Sequence, residues 1–256
     1  MLKVIFVPRA MGTNNITFTA ANHALSVLRS GRIQLKGIFQ VGSNYTFLVE
    51  VNLQGESLEA VYKPTKGEKP LWDFPSGTLA KREVAAYLIS EALGWGLVPP
   101  TVLRKNGPYG LGSVQLFVDF APDGHYFNFT DTEREICRSV AAFDYVINNA
   151  DRKGGHIVRS NRGHIQLIDH GVCFHYEEKL RTVLWDFAGE KLSENMCSDI
   201  TDLATSINSF GKLRNKLSKL LSTAEINALS ERATGLVASG CLPQPGLDYN
   251  YPWPML

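Results

Sequence analysis

The sequence predicts an α+β chain in two lobes: a small antiparallel-sheet lobe with one main helix, then a mostly helical large lobe. Three observations carry this. β-rich runs separated by Gly/Asn turns fill residues 33–63 and return at 101–118. Apolar residues at helical spacing follow capping signatures near residues 132 and 222. The 256 residues are 44% hydrophobic and 20% charged, enough interior for one large domain or two lobes without metals or disulfides. The expected division is 1–120 for the small lobe and 121–256 for the large one.

Residues 1–30 carry weak signals, with a short helix expected from about Ala20 to Leu28 before Gly31. Two β-rich runs, 33–39 and 45–51, flank Gly42-Ser43-Asn44, which reads as a hairpin turn. A second turn at Gln54-Gly55-Glu56 leads into 58–63, so Lys63 ends the third strand of a meander. Residues 64–77 are rich in Pro, Gly and charge, a long loop expected to be anchored by Trp72 and Phe74. A helix starts near Leu79, with Ala85, Leu88, Ile89 and Ala92 on one face and Gly94 as its stop. After Pro99-Pro100, strands at 101–104 and 113–118 flank a turn at Asn106-Gly107-Pro108.

The second half opens on Thr132-Glu133-Arg134-Glu135, which matches a capping box, and Ile136, Val140, Phe143 and Ile147 form one stripe. Short strands at 157–158 and 165–168 enclose a turn at Asn161-Arg162-Gly163 and end at Asp169-His170-Gly171. From about Asp199 to Ala238 the chain reads as helical, with a second capping box at Ser222-Thr223-Ala224-Glu225. Pro243, Pro245, Pro252 and Pro254 keep the tail extended. Its Tyr249, Tyr251 and Trp253 either dock it or offer it to a protein partner.

A formal net charge of +1 excludes a chain held on nucleic acid by bulk charge, and no nucleic-acid partner is expected. No stretch reaches the ~18 apolar residues of a transmembrane helix, and the opening apolar run is too short for a secretory signal. The four cysteines, Cys137, Cys173, Cys197 and Cys241, form no CxxC pair, which argues against structural zinc and fits a reducing cytoplasm.

The chemistry gathers at three places. Asp151 sits at a helix-to-loop transition with Gly154-Gly155 behind it, and Asp169 ends a strand. The strand–turn–strand unit between them folds back and brings Asp151, His156 and Asp169 around one cleft. Carboxylates and an imidazole so held bind a divalent metal and orient a hydroxyl. Lys63, on the other lobe, supplies positive charge for a phosphate tail. Each piece alone also fits a cap, a turn or a solvated strand edge; their order and spacing as a set single them out.

On these residues the sequence resembles the bacterial kinase-like proteins related to phosphatidylinositol 3-/4-kinases and to HipA-type kinases, an atypical branch of the protein-kinase-like fold. The resemblance covers roughly residues 31–240. It is carried by Ala60-Val61-Tyr62-Lys63-Pro64, by Pro70-Leu71-Trp72-Asp73-Phe74-Pro75 through Arg82-Glu83-Val84-Ala85-Ala86, by Asp151-Arg152-Lys153-Gly154-Gly155-His156 and by Asp169-His170-Gly171.

The resemblance implies an ATP-dependent phosphotransferase using Mg²⁺ or Mn²⁺ and moving the γ-phosphate to a hydroxyl of a protein, lipid headgroup or small molecule. Lys63 would contact the α/β-phosphates, held by Glu83, while Glu91 faces solvent. Ser43 and Asn44 of the hairpin would cover the phosphates, and Gln115, Leu116 and Phe117 would form the hinge beside adenine through main-chain groups. Asp151 would orient and deprotonate the acceptor hydroxyl, Arg152 and Lys153 would stabilise phosphate charge, and Asp169 would hold the metal. His156 stands where many relatives carry a second metal-binding Asn. This departure suits Mn²⁺ at least as well as Mg²⁺, and it predicts activity falling below about pH 6.5 as the imidazole protonates. Two alternatives stand beside this one: a catalytically inactive nucleotide-binding or scaffolding module, and transfer of AMP.

Overall fold

The structure, a computed structural model, describes residues 18–39, 44–246 and 250–256. The chain forms two compact units, one containing the described residues up to Val84 with Pro99–Val118, the other Ala85–Val98 with Asp119–Leu256.

In the first unit, helix α1 (Phe18–Ser30) buries Val27 and Leu28 completely and stops at Gly31. A Cβ there would lie 2.7 Å from Val51 Cγ1 and 2.8 Å from the Val27 carbonyl, so only glycine fits the turn into the sheet. Strands β1 (Arg32–Phe39), β2 (Thr46–Leu53), β3 (Glu56–Pro64), β4 (Thr101–Gly107) and β5 (Gly110–Leu116) form one antiparallel sheet in the order β1-β2-β3-β5-β4. Arg104 of β4, almost wholly buried, donates from Nη1 to the carbonyls of Leu28 (2.8 Å) and Gly31 (3.0 Å), clamping the end of α1 to the sheet. The meander of the first three strands is as expected. Its fourth neighbour is β5, pairing Val61 with Gln115, and β4 runs three residues further than the sequence indicates, to a tight turn at Pro108-Tyr109. The turn at Gly42-Ser43 lies outside the described residues, while Phe39 pairs with Thr46 on either side of it.

Helix α2 (Leu79–Ala92) begins in the first unit and ends in the second. The expected single apolar face is replaced by burial nearly all round: residues 82–87, 89 and 90 are buried, Leu88 is half-buried and Ala92 exposed. Among the buried are Arg82 and Glu83, polar residues that mark a helix inside the protein. The loop before it is pinned by Phe74, under the Arg82 guanidinium (4.9 Å to the ring centroid), and by Glu68, whose Oε1 accepts the Ala80 N–H at 3.1 Å. Phe74 is 6% exposed and Trp72 91%, so of the two aromatics it is Phe74 that is buried.

In the second unit, helix α3 (Asp131–Ile147) starts two residues earlier than expected. Its capping box is Thr130 with Glu133: the Glu133 N–H donates to Thr130 Oγ1 (3.4 Å) and the Thr130 N–H to Glu133 Oε2 (2.8 Å). Glu135 instead pairs with Arg138. Val140, Phe143 and Ile147 are fully buried, but Cys137 completes the stripe, and Ile136 is 47% exposed. Strands β6 (Phe120–His125), β7 (Ile157–Ser160) and β8 (Ile165–Leu167) form a small antiparallel sheet. β6 was not expected; its Pro and Gly give little β signal and its pairing with β7 is irregular. The helical C-terminal stretch is three helices, α4 (Glu194–Asn208), α5 (Lys212–Leu217) and α6 (Thr223–Ser239), the last opened by the predicted Ser222–Glu225 box. Among the described residues no helix is long and apolar enough to cross a membrane. All four cysteines are free thiols.

Candidate functional site

In the first unit, the alternation of β3 sends Ala60, Tyr62 and Pro64 into the core and Lys63 to the other face. There the Lys63 ammonium pairs with Glu83 of α2. The Glu83 side chain is 3% exposed and that of Lys63 24%, so the lysine presents the open end of the pair. Glu91, two turns on, is exposed.

Two neighbouring candidates are otherwise engaged. Asn44 accepts the Lys69 N–H on Oδ1 at 2.7 Å, closing the loop after β3 onto the start of β2. Ser43 lies outside the described residues. At the expected hinge, the Leu116 N–H donates to Pro100 O (2.9 Å) and the Phe117 N–H to Glu59 O (3.0 Å). The Gln115 side chain donates to Thr101 Oγ1 at 2.9 Å. These donors, which the resemblance assigns to the adenine edge, are committed within the unit.

In the second unit, α3 ends at Asn148, which adopts the left-handed conformation (φ 53°, ψ 58°). Its amide donates to the carbonyls of His175 and Glu177, tying the helix end to the segment after β8. Asn149 then bridges: Nδ2 donates to Asp144 Oδ1 (3.1 Å) and Oδ1 accepts the Asp151 N–H (3.0 Å). This fixes the backbone that presents Asp151.

Arg152 does not reach outward. It has no exposed surface and forms a two-pronged pair with the equally buried Asp144, Nε to Oδ2 at 2.8 Å and Nη2 to Oδ1 at 3.0 Å. Its remaining donors go to His156 O (3.2 Å), Ile168 O (2.9 Å) and His170 Nε2 (2.8 Å). The expectation that it stabilises phosphate charge is therefore corrected: a guanidinium sealed by five acceptors positions the loop. It ties the residues around Asp151 to those flanking Asp169. His170 is fully buried, taking the Arg152 bond and meeting the Phe143 ring edge-on.

The grouped residues are Asp151, Lys153, His156 and Asp169. Lys153 Nζ lies 3.5 Å from Asp151 Oδ2, and His156 Nε2 lies 3.5 Å from Asp169 Oδ2. His156 Nδ1 is 3.2 Å from the Asp151 carbonyl, a contact that orients the ring so that Nε2 faces Asp169. Asp169 itself holds φ 61°, a left-handed conformation that Asp tolerates at modest cost and that is common where a side chain must be aimed. Burial pushes the Asp151 carboxyl up to about 6; the Asp169 charge adds to this, and Lys153 and Arg181 oppose it.

Among the described residues no group of three or more His, Cys, Asp or Glu is gathered for a metal. One carboxylate and one imidazole make an open donor set. Such a set fits Mg²⁺ or Mn²⁺, which are held by few protein ligands and completed by water and phosphate oxygens. It does not fit a closed structural site.

Protein Rv2133c of Mycobacterium tuberculosis is 38% identical over 281 residues, spanning 95% of this chain and 99% of that one. The chain belongs to the Rv2133c family. Phosphatidylinositol 4-kinase gamma 4 of Oryza sativa subsp. japonica is 30% identical to this Rv2133c-family chain over 154 residues, 46% of the chain and 27% of the rice protein. No family model matches. Among solved structures, the Golgi casein kinase superposes with a TM-score of 0.54 at 15% identity, covering 88% of this chain and 75% of that one. A second structure of that kinase has Mn and ADP bound. Hydra Fam20 with sugar gives 0.50 at 15% identity, covering 87% and 88%. The fold of this Rv2133c-family member is thus the two-lobed α+β architecture of atypical kinases, as the sequence predicts.

Asp144 and Asn149 went unread in the sequence. The signal for Asp144 is a carboxylate four residues after Val140 on the apolar side of α3, with an arginine eight residues on. A buried acid demands such a partner.

Proposed function

We propose that this protein is an ATP-dependent phosphotransferase that moves the γ-phosphate of ATP to a hydroxyl group. The observation that carries the reading is Asp151 held at the start of the loop that also carries His156, with a carboxyl titrating at about 6. A base poised near neutral pH takes a proton efficiently without being protonated at rest.

The roles follow from the geometry of each unit. Lys63, steadied by the buried Glu83, offers its ammonium to phosphate oxygens. Asp169 and His156 would hold Mg²⁺ or Mn²⁺, which when bound neutralises phosphate charge. Asp151 orients the acceptor hydroxyl and receives its proton while that oxygen bonds to the γ-phosphorus. The bond from the γ-phosphorus to the β,γ-bridging oxygen breaks, and ADP leaves. Lys153, 3.5 Å from Asp151, keeps the carboxylate ionised and lends its charge to the transferring group. The match to a rice phosphatidylinositol 4-kinase supports placing the chain on the phosphatidylinositol 3-/4-kinase-like side of the atypical kinases. The Golgi casein kinase with Mn and ADP supports a manganese-competent site. Four free thiols support action in a reducing cytoplasm.

Calorimetry of ATP binding with and without Mn²⁺ tests the reading, on the wild type and on Asp169→Asn, chosen because Asn keeps the left-handed backbone. Metal-dependent binding that the variant loses is the expected result. Equal binding without metal would leave a nucleotide sensor instead, and absence of binding to the wild type would remove the mechanism.

A further inference from the structure

Residues 250–256 lie against the loop that carries Asp151, and they are held there by main-chain bonds. The Asn250 carbonyl accepts from the Thr182 N–H (3.0 Å) and the Trp185 indole N–H (2.8 Å). Its side-chain amide bonds Gly246 both ways, donating to that carbonyl at 2.6 Å and accepting its N–H at 3.1 Å. Pro252 is buried. The Met255 carbonyl then accepts the Gly154 N–H at 2.8 Å. Leu256 crosses Gly155, its Cδ1 3.7 Å from where a Cβ on that glycine would stand.

Three features of this contact are informative. The Gly154 N–H opens the single 3₁₀ turn Gly154–His156, where a first donor has no partner within the turn, so an outside carbonyl is what it requires. Thr182 already bridges Arg152 in parallel, so the Asn250 carbonyl on the Thr182 N–H extends a small ladder outward from the catalytic loop. Of the tail side chains, Trp253 (81% exposed) and Met255 (45%) contribute little, while Pro252 is buried and Leu256 lies on Gly155. A carbonyl docked on a main-chain N–H is a bond that any extended polypeptide supplies whatever its sequence.

We propose that the edge formed by Gly154-Gly155 and Thr182 is a docking track for an extended polypeptide acceptor, and that residues 250–256 occupy it in cis. The inference rests on the phosphotransferase reading and adds to it the acceptor class and a form of self-inhibition. An acceptor chain displaces the tail by making the same main-chain bonds three residues from Asp151.

The test compares the full chain, a version ending at Gly246, which removes Asn250 together with the rest of the tail, and full-length Pro252→Asp, which dislodges the tail without shortening it. Trp253→Ala serves as a control whose main-chain bonds are intact. Hydrogen exchange at Gly154 should quicken at least tenfold in the first two variants and stay protected in the third. A peptide of residues 250–256 should bind the shortened chain, read by its tryptophan fluorescence, and not the full chain. Transfer of labelled phosphate from ATP to dephosphorylated casein should rise severalfold on shortening and fall when the peptide is added. Unchanged exchange together with no peptide binding overturns the docking. Faster exchange with unchanged transfer, in proteins that bind ATP with metal, overturns the self-inhibition. Loss of ATP binding by every form overturns the phosphotransferase reading alone, since exchange and peptide binding still decide whether the track exists.

Discussion

At the scale of the residue, Asp151 carries opposed demands of chemistry and stability. Its carboxyl titrates near 6 in the folded protein against about 4 in the unfolded chain. Below pH 4 both states hold the proton and the residue is neutral in the balance. Between pH 4 and 6 only the folded state holds it, and above 6 the buried ionised form costs stability. Discounted for its solvent-facing edge, that cost is about 1–2 kcal/mol. Asp151→Asn is therefore expected to raise Tm by a few degrees at pH 7.5 and by nothing at pH 4, while turnover falls by about 10²–10⁴-fold. Thermal melts at the two pH values, beside a turnover assay, check this; a drop in Tm at pH 7.5 would assign Asp151 a structural role. In the wild type, turnover should decline as pH falls through 6.

Arg152 makes the opposite case. Removing it leaves Asp144 buried with Asn149 as its donor, and charges stranded in this way typically cost about 3–5 kcal/mol. Arg152→Met should lower the unfolding free energy from chemical denaturation by that amount, and Asp144→Asn added to it should recover part of the loss. Arg152→Lys should not rescue, because a single ammonium cannot span both carboxylate oxygens and the carbonyls of His156 and Ile168. A midpoint unchanged in Arg152→Met would mean the pair is dispensable.

At the scale of the element, the start of α3 shows what a linear pattern leaves open. Two Thr-x-x-Glu frames overlap, Thr130–Glu133 and Thr132–Glu135, and pattern alone does not choose between them. Burial of Tyr126 and Phe129 just upstream fixes where the chain turns into the helix, and only the first frame closes both bonds. Thr130→Ala should cost about 1 kcal/mol in chemical denaturation and Thr132→Ala roughly a quarter of that. Equal costs would mean the helix starts elsewhere in solution. Elements with a strong period, β2, β3, α3 and α6, are legible in sequence because each presents one apolar face or stripe. α2 is misread for a physical reason: a helix buried on several sides has no contrasting face. β6 is missed because its pairing, rather than its composition, makes it a strand.

At the scale of the whole molecule, the grouping of Asp151, His156 and Asp169 is legible because a strand, a turn and a strand of known length return the chain to its start. The spacing that places Lys63 at a strand end and Glu83 on the next helix is equally open to reading. What the sequence hides is the shared hydrogen bonding around them. Arg152 looks like a loop charge until the acceptors at Asp144, His156 and Ile168 are seen to converge on it. The hinge donors look available until Pro100 and Glu59 are found to hold them.

The burial of Glu83 reaches beyond catalysis into how this site can decay. Its carboxylate is 3% exposed and paired with Lys63, so losing the lysine removes a counter-charge from a buried acid and costs stability whatever the lysine does in chemistry. Under the proposed function, a lineage that abandoned phosphoryl transfer would meet that cost on drifting at the lysine. Neutralising the glutamate in step would offset it, so a relative that has fallen silent is expected to differ at both positions. One that keeps the acid buried still has reason to keep its lysine.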